Sequence, residues 1–348
     1  MSHTNWELLA DLAISGQTID RQQALSVLHC PANDVLSLLN AAYRVRRTFH
    51  GHKVRLHVLE NAKSGTCPED CRFCSQSSYY ETPADIYGLE SVDAIVEGAR
   101  KAKQAKAWKY CIVTATRGPS SRDLDVVCDA VRKIKSEIDI KICTSLGILD
   151  EEQAKRLKEA GVDRFNHNLE TSERYFDQVA TTHSYADRVR TVKIAKAAGM
   201  EICSGGIVGM GENEDDVLDL AFALRELSAN SVPVNFLDPR PGTPFSNLPR
   251  VTPAACLKVL CMFRFLHPKT DLRVAGGREV NLRWMQPLAL YVVNSIFTSG
   301  YLTTPGATPN QDHQMIQDMG FEIEQLSPER AFPPEVETKI PVPVVQQI

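Results

Sequence analysis

The chain has 348 residues, of which 39 are lysine or arginine and 43 are aspartate or glutamate, and its formal net charge is −4. This near balance excludes the basic surface of a nucleic-acid-binding protein, since only Arg44, Arg46 and Arg47 form a dense basic cluster. The apolar stretches are strand-sized and interrupted by charges, which argues against membrane-spanning helices. Length alone suits one α/β barrel with terminal additions.

The chain begins MSHTNWELLADL, without the basic segment and the apolar run of a signal peptide. We therefore expect a cytoplasmic location in a reducing compartment. The ten cysteines are then expected to be buried, catalytic or metal-bound rather than paired in disulfides.

Both ends of the chain differ from its middle. Residues 1–50 predict an N-terminal helical extension of two or three helices, one of which starts at Asp20, a suitable N-cap. We expect this extension to close one end of the following domain or to contact a second subunit. The segment 327–348 has no sustained period and carries five prolines in SPERAFPPEVETKIPVPVV, so we expect an extended or disordered tail.

Residues 51–326 alternate short β-rich runs with helical patterns, which is typical of βα units around a parallel sheet. The eight predicted strands are 54–60, 109–115, 140–146, 163–169, 201–207, 232–238, 272–277 and 290–297. The predicted helices between them are 92–105, 124–135, 151–160, 186–198, 214–227 and 253–266. Eight such units predict an α/β fold of the (β/α)8 TIM-barrel type.

A first group of cysteines, Cys67, Cys71 and Cys74, follows the first predicted strand with the spacing C-x3-C-x2-C. This is the rim where barrel enzymes place their chemistry, and three close thiolates can hold one soft metal centre. A zinc site is the alternative, but it normally has four Cys or His ligands. His50 and His52 are conceivable fourth ligands, although they precede the strand and would lie at its opposite end.

A second group, Cys111, Cys143 and Cys203, lies inside the second, third and fifth predicted strands. If all three side chains face the barrel interior they converge, but a buried cysteine also packs as a small hydrophobic residue. Both interpretations stay open on spacing alone. The other cysteines fall on predicted helices, where packing is the usual role; these are Cys30, Cys128, Cys256 and Cys261.

The motif C-x3-C-x-aromatic-C, with Phe73 as the aromatic residue, resembles that of the radical S-adenosylmethionine (SAM) superfamily. The resemblance implies a [4Fe-4S] cluster on Cys67, Cys71 and Cys74. Its open iron would bind the amino and carboxylate groups of SAM, and an electron from the cluster would release a 5'-deoxyadenosyl radical.

Further motifs are similar to those of the biotin synthase family: CPEDCRFCSQSS, NHNLETS, CSGGIVGMGE, VPVNFL, LRVAGGRE and NSIF followed by YLTTPG. They run from about residue 58 to about residue 306. The resemblance implies a [2Fe-2S] cluster on Cys111, Cys143, Cys203 and the unusual ligand Arg273. Without it, Arg273 would be interpreted as a buried ion-pair partner.

The same resemblance assigns ligand contacts. For SAM it implies Phe73, Asn168, Glu170, Arg188 and Ile207, and for dethiobiotin Asn166, Asn235, Thr303 and Thr304. Glu170 is one methylene longer than the aspartate of better-known bacterial members, and Lys109 stands where some members have arginine.

The resemblance thus implies a sulfurtransferase that converts dethiobiotin to biotin, with sulfur from the [2Fe-2S] cluster. It also implies a homodimer, a flavodoxin or ferredoxin type electron donor, and iron-sulfur assembly proteins as partners. Two alternatives are another radical SAM enzyme, such as a methyltransferase or cofactor-ring synthase, and a non-catalytic iron-sulfur carrier. The carrier would need exposed, labile ligands.

Overall fold

A closed parallel barrel forms the centre of the computed structural model, in which residues 5–304 and 306–326 are described. Its strands are β1 (Lys53–Lys63), β2 (Lys109–Thr114), β3 (Lys141–Ser145), β4 (Arg164–Asn166), β5 (Glu201–Cys203), β6 (Gly206–Val208), β7 (Ser231–Phe236), β8 (Asp271–Val274) and β9 (Ser295–Phe297). Consecutive strands pair in parallel, except that β5 and β6 each pair with β7 rather than with one another, and β9 pairs with β1 to close the ring. This confirms the predicted (β/α)8 barrel.

Helices cover the outside of the barrel. They are α4 (Val92–Gln104), α5 (Ser121–Glu137), α6 (Glu151–Ala160), α7 (Tyr185–Ala197), α8 (Glu214–Glu226), α9 (Pro253–Leu266) and α12 (Pro309–Asp318), with short α10 (Arg278–Leu282) and α11 (Gln286–Ala289) between β8 and β9. The seven longer helices begin after a side chain that accepts a backbone N–H bond, a contact worth about 1 kcal/mol each. These capping residues are Ser91, Ser120, Asp150, Ser184, Asn213, Thr252 and Thr308.

The N-terminal extension consists of α1 (Trp6–Ile14), α2 (Arg21–Leu28) and α3 (Val35–His50). From α3, the fully buried Arg46 donates to the carbonyls of Gly51, Lys53 and Val293 around the start of β1. His50 lies at the same end, where its ring contacts Arg264. The extension therefore packs against the end of the barrel opposite the cysteine rim, and its proposed role in a dimer stays a prediction.

The fifth barrel position is split into β5 and β6, whereas the sequence predicted one strand over 201–207. The break lies beside Pro233 of β7, which has no N–H for a ladder bond. A Cβ at Gly205 would lie 1.9 Å from the carbonyl oxygen of Pro233. Only glycine therefore allows the two backbones to approach this closely.

We expect Gly205→Ala to lower the free energy of unfolding of the metal-free protein by about 1–3 kcal/mol, because the new methyl group must push β5 away from β7. Urea denaturation followed by circular dichroism measures this change. Gly88→Ala is the matched control, since its Cβ would have no neighbour within 4 Å. Equal midpoints for the two variants would contradict the close-packing explanation.

The C-terminal part of the barrel differs from the prediction in its last strand and in two further elements. The predicted last strand, 290–297, is a strand only at Ser295–Phe297, because the preceding apolar residues continue the turns after α11. An apolar run alone cannot separate these states. Helix α12 and strand β10 (Glu322–Ile323), which pairs with β1, were not predicted as elements. The tail 327–348 lies outside the described residues.

Among the described residues, no helix has the length and apolar character needed to cross a membrane.

Candidate functional site

A cavity of about 300 Å³ opens at the ends of the barrel strands and extends into the barrel interior. Every predicted site residue lines it, including both cysteine groups. The lining residues among the predictions are Cys67, Cys71, Phe73, Cys74, Cys111, Cys143, Asn166, Asn168, Glu170, Arg188, Cys203, Ile207, Asn235, Arg273, Thr303 and Thr304. Lys109 does not line it.

At the mouth, a short loop after β1 carries Cys67, Cys71 and Cys74. The Cys67 amide donates to the carbonyl of Gln76 at 3.0 Å, and the Cys74 amide donates to that of Cys71 at 3.0 Å, so the loop folds back on itself. Burial raises the pKa of each thiol, that of Cys74 to about 11. A metal must therefore displace three protons to bind here.

The donor set of this loop fits a cluster rather than one ion. Within the described parts of the chain, no three His, Cys, Asp or Glu side chains surround a single ion-sized point. In an iron-sulfur cube each thiolate binds a different iron, so the ligands lie farther apart than around zinc. His50 and His52 do not line the cavity, which leaves the loop with three thiols.

Deeper in the barrel, Cys111 and Cys143 are direct neighbours in the register of β2 and β3. The Cys143 thiol hydrogen-bonds the Cys111 sulfur, which lowers the pKa of Cys111 and raises that of Cys143. Cys203, across the barrel on β5, lies 3.9 Å from Nη1 of Arg273. The alternation of side chains along the strands thus brings all three thiols to the barrel interior, where they line the same cavity.

Arg273 is almost fully buried, and its Nε has no hydrogen-bond partner. Its Nη2 lies 3.1 Å from the hydroxyl of Ser231 and 3.2 Å from Nε2 of His57. Burial, followed by the charge of Arg273, holds the pKa of His57 well below its usual range, so this ring is neutral. Arg273 thus has a buried N–H without an acceptor at Nε, and its Nη1 lies beside the Cys203 thiol.

A buried carboxylate, that of Asp271, balances the positive charges of Arg164 and Arg273. It accepts from Arg164 at 2.9 Å and from Ser295 at 2.7 Å, and lies 3.6 Å from Arg273. Burial alone would raise its pKa, but Arg164 and Arg273 hold that pKa well below its usual range. Lys109, whose pKa is lowered by burial, lies in the same layer, 3.4 Å from Glu201.

The end of β4 carries Asn166, Asn168 and Glu170. Glu170 has a positive φ of 70°, and its carbonyl accepts from the Ile207 amide at 2.8 Å. A Cβ at Gly206 would lie 2.5 Å from the Glu170 carbonyl oxygen, which explains the glycine beside Ile207. Burial raises the pKa of the Glu170 carboxyl. The segment after β4 and strand β6 are thus in close backbone contact at one wall of the cavity.

Asn235 and Thr303 line the remaining wall. The Asn235 amide donates to Gly206 O at 3.0 Å and accepts from Gly276 N at 2.8 Å, so its orientation is set by both neighbouring strands. The hydroxyl of Thr303 lies 2.8 Å from that of Ser75, next to Cys74. The segment after β9 therefore contacts the cysteine loop directly.

A polar group beside the cavity mouth is not among the predicted site residues. Glu69 and Asp70, between the first two rim cysteines, bond to residues 181–183 before α7. His183 in turn contacts Arg188. The sequence does contain a sign of this group, because the motif CPEDC has two acidic residues between its cysteines, and the cysteine spacing itself requires neither of them.

Family models match most of the chain: the Radical SAM superfamily over residues 62–224 and the Biotin and Thiamin Synthesis associated domain over residues 233–322. Among solved structures, methylornithine synthase superposes with a TM-score of 0.81 at 19% identity, covering 91% of this chain and 97% of that one. The FeFe-hydrogenase maturase HydG from Carboxydothermus hydrogenoformans superposes with a TM-score of 0.77 at 17% identity, covering 92% of this chain and 80% of that one. These two similarities establish the fold.

Curated relatives are much closer in sequence. The biotin synthase of Salinibacter ruber is 57% identical over 95% of this chain and 92% of its own length. The biotin synthase of Bacillus subtilis is 49% identical over 94% of this chain and 97% of its own length. The biotin synthase of Halalkalibacterium halodurans is 50% identical over 94% of this chain and 98% of its own length. With nearly full-length matches at this identity, the chain belongs to the biotin synthase family.

Proposed function

We propose that this protein is a sulfurtransferase that inserts sulfur into dethiobiotin to form biotin. One observation carries the proposal: a single cavity has three thiols at its mouth and three more, with an unpartnered arginine nitrogen, below them. The space between the two groups suits a substrate that must meet a radical from one side and a sulfur atom from the other.

The two thiol groups suit different clusters. Cys67, Cys71 and Cys74 would hold a [4Fe-4S] cluster with one open iron, and Cys111, Cys143, Cys203 and Arg273 would hold a [2Fe-2S] cluster. When bound, these groups and SAM supply the electron, the 5'-deoxyadenosyl radical and the sulfur atom of the reaction.

The chain's own residues bind and orient the reactants. The Arg188 guanidinium would pair with the SAM carboxylate, while the Glu170 carboxylate would accept from the ribose hydroxyls and the Asn168 side-chain amide would donate to them. Phe73 and Ile207 offer apolar surface to the adenine. The Glu170 carboxylate lies 3.4 Å from both Nη1 of Arg188 and the Asn168 side-chain amide, which orients all three side chains.

Dethiobiotin would lie between the clusters, with its ureido ring toward Asn166 and Asn235 and its carboxylate toward Thr303 and Thr304. Small neutral donors and acceptors suit a urea and a fatty carboxylate. The apolar side chains of Phe297, Ala275 and Tyr301 pack against Cys111 and Cys143. They exclude water from the region where a carbon radical must survive.

The alternative function, a non-catalytic iron-sulfur carrier, needs exposed ligands for cluster transfer. Here Cys71 is only 9% exposed, and the three barrel thiols are buried further. The proposal also includes a flavodoxin or ferredoxin type electron donor, iron-sulfur assembly partners, a homodimer and a cytoplasmic location.

Anaerobic reconstitution followed by Mössbauer spectroscopy and a turnover assay tests this function. We expect two cluster types in the same chain, and biotin formation from dethiobiotin, SAM and a flavodoxin reductant. Protein that holds one cluster type and forms no biotin would rule the proposal out.

A further inference from the structure

We infer that Glu69 and His183 form a positioning relay that orients the Arg188 guanidinium for the carboxylate of SAM. This inference rests on the proposed function, because it takes Arg188 as the SAM contact. It adds two positioning residues that join the cysteine loop to helix α7.

The hydrogen-bond directions of the relay follow from its chemistry. Nε of Arg188 lies 3.0 Å from Nε2 of His183, and an arginine nitrogen can only donate, so Nε2 must accept. Nδ1 of His183 lies 2.5 Å from Oε2 of Glu69, and a carboxylate can only accept, so Nδ1 carries the proton. The imidazole therefore holds one tautomer, and that tautomer presents an acceptor to Arg188.

Glu69 is itself held from two further sides. Arg117 donates to its Oε1 at 2.7 Å, and the Thr182 hydroxyl donates to its Oε2. The neighbouring Asp70 accepts from the Thr181 amide at 2.8 Å and from the Thr182 amide at 3.1 Å. The two acids inside the cysteine motif thus fix the segment that carries His183.

The remaining contacts of Arg188 leave one end of its fork directed at the mouth. Nη1 donates to the Asn168 carbonyl at 2.9 Å, and the guanidinium lies 5.5 Å from the centre of the Phe176 ring. Nη2 lies 3.9 Å from the sulfur of Cys71. The Glu170 carboxylate, 3.4 Å from Nη1, attracts the guanidinium from another side. Without the bond from Nε to His183, we expect the guanidinium to turn toward Glu170, so that Nη2 no longer points at the cavity mouth.

Two conservative variants of His183 are expected to differ in the hydrogen bond that they keep. The amide of Asn in His183→Asn ends near the position of Nδ1, so it keeps the Glu69 bond and loses the acceptor for Arg188. The longer amide of His183→Gln reaches the position of Nε2 and restores that acceptor. Arg190→Ala is the control on α7, the helix that carries Arg188, because the Arg190 side chain is largely exposed.

Equilibrium binding to the reconstituted, unreduced holoenzyme tests the relay, with SAM and decarboxylated SAM as probes and iron content verified for every variant. We expect His183→Asn to weaken SAM about tenfold, with little change for the decarboxylated analogue. His183→Gln and Arg190→Ala should bind SAM like the wild type.

Three results would overturn the relay: His183→Asn binding SAM normally, both His183 variants weakening equally, or the analogue weakening as much as SAM. In an Arg188→Ala background, His183→Asn should have no further effect on SAM, and an additive loss would also overturn it. Wild-type biotin formation is assayed separately. Normal turnover with a failed relay therefore leaves the proposed function standing.

Discussion

Cys143→Ala is expected to abolish biotin formation while the protein still cleaves SAM. Cys143 lies deep in the barrel beside Cys111, whereas the rim thiols lie on a separate loop. Removing one thiol should prevent the smaller cluster from assembling and leave the rim loop unchanged. Iron should fall from about six to about four atoms per chain, and the spectrum of the [4Fe-4S] cluster should persist.

The matched control is Cys128→Ala, which removes a buried cysteine from α5, outside the cavity. Its sulfur lies 3.8 Å from the Arg156 carbonyl oxygen, and the residue belongs to an apolar cluster of the core. This variant should keep both clusters and its biotin formation, with a modest loss of stability. Biotin production that survives in Cys143→Ala would show that the sulfur comes from elsewhere.

Asp271→Asn is expected to cause the second large effect, a loss of about 3–5 kcal/mol in the free energy of unfolding of the metal-free protein. The carboxylate is buried and faces Arg164 and Arg273. An amide removes the only negative charge within 4 Å of the Arg273 guanidinium among the described residues, so a buried cation is left uncompensated. Urea denaturation measures the loss.

An exposed ion pair provides the comparison for that experiment. Asp129 pairs with Arg132 at 2.8 Å, and both side chains are more than half exposed. Water screens such pairs, so Asp129→Asn should change the free energy of unfolding by less than about 1 kcal/mol. If the two variants had equal midpoints, Asp271 would not be the charge that stabilises the lower half of the barrel.

The barrel could be predicted because its elements repeat. Period-two apolar runs and 3.6-residue periods alternate along residues 51–326, and the predicted helix 151–160 matches Glu151–Ala160 at both ends. The last strand was overextended because the apolar run before Ser295 is buried in turns rather than in a ladder. Buried turns and buried strands both favour apolar residues, so only the backbone pairing seen in the structure distinguishes one from the other.

The cavity lining could be predicted from motifs, but its contacts could not. The convergence of Cys111, Cys143 and Cys203 follows from side-chain alternation once the barrel is assumed. The contact from Glu69 through His183 to Arg188 joins residues more than a hundred positions apart, and no local period encodes it. The same holds for Asp271, which reads as an ordinary strand-end residue until its neighbours are known.

The origin of the sulfur tests the central claim most directly. The enzyme is reconstituted with isotopically labelled sulfide, freed of excess sulfide, and given dethiobiotin, SAM and a reductant for one turnover, and the biotin is analysed by mass spectrometry. We predict that the biotin carries the label and that the [2Fe-2S] spectrum declines in step with its formation. Unlabelled biotin, formed while that cluster stays intact, would contradict the account.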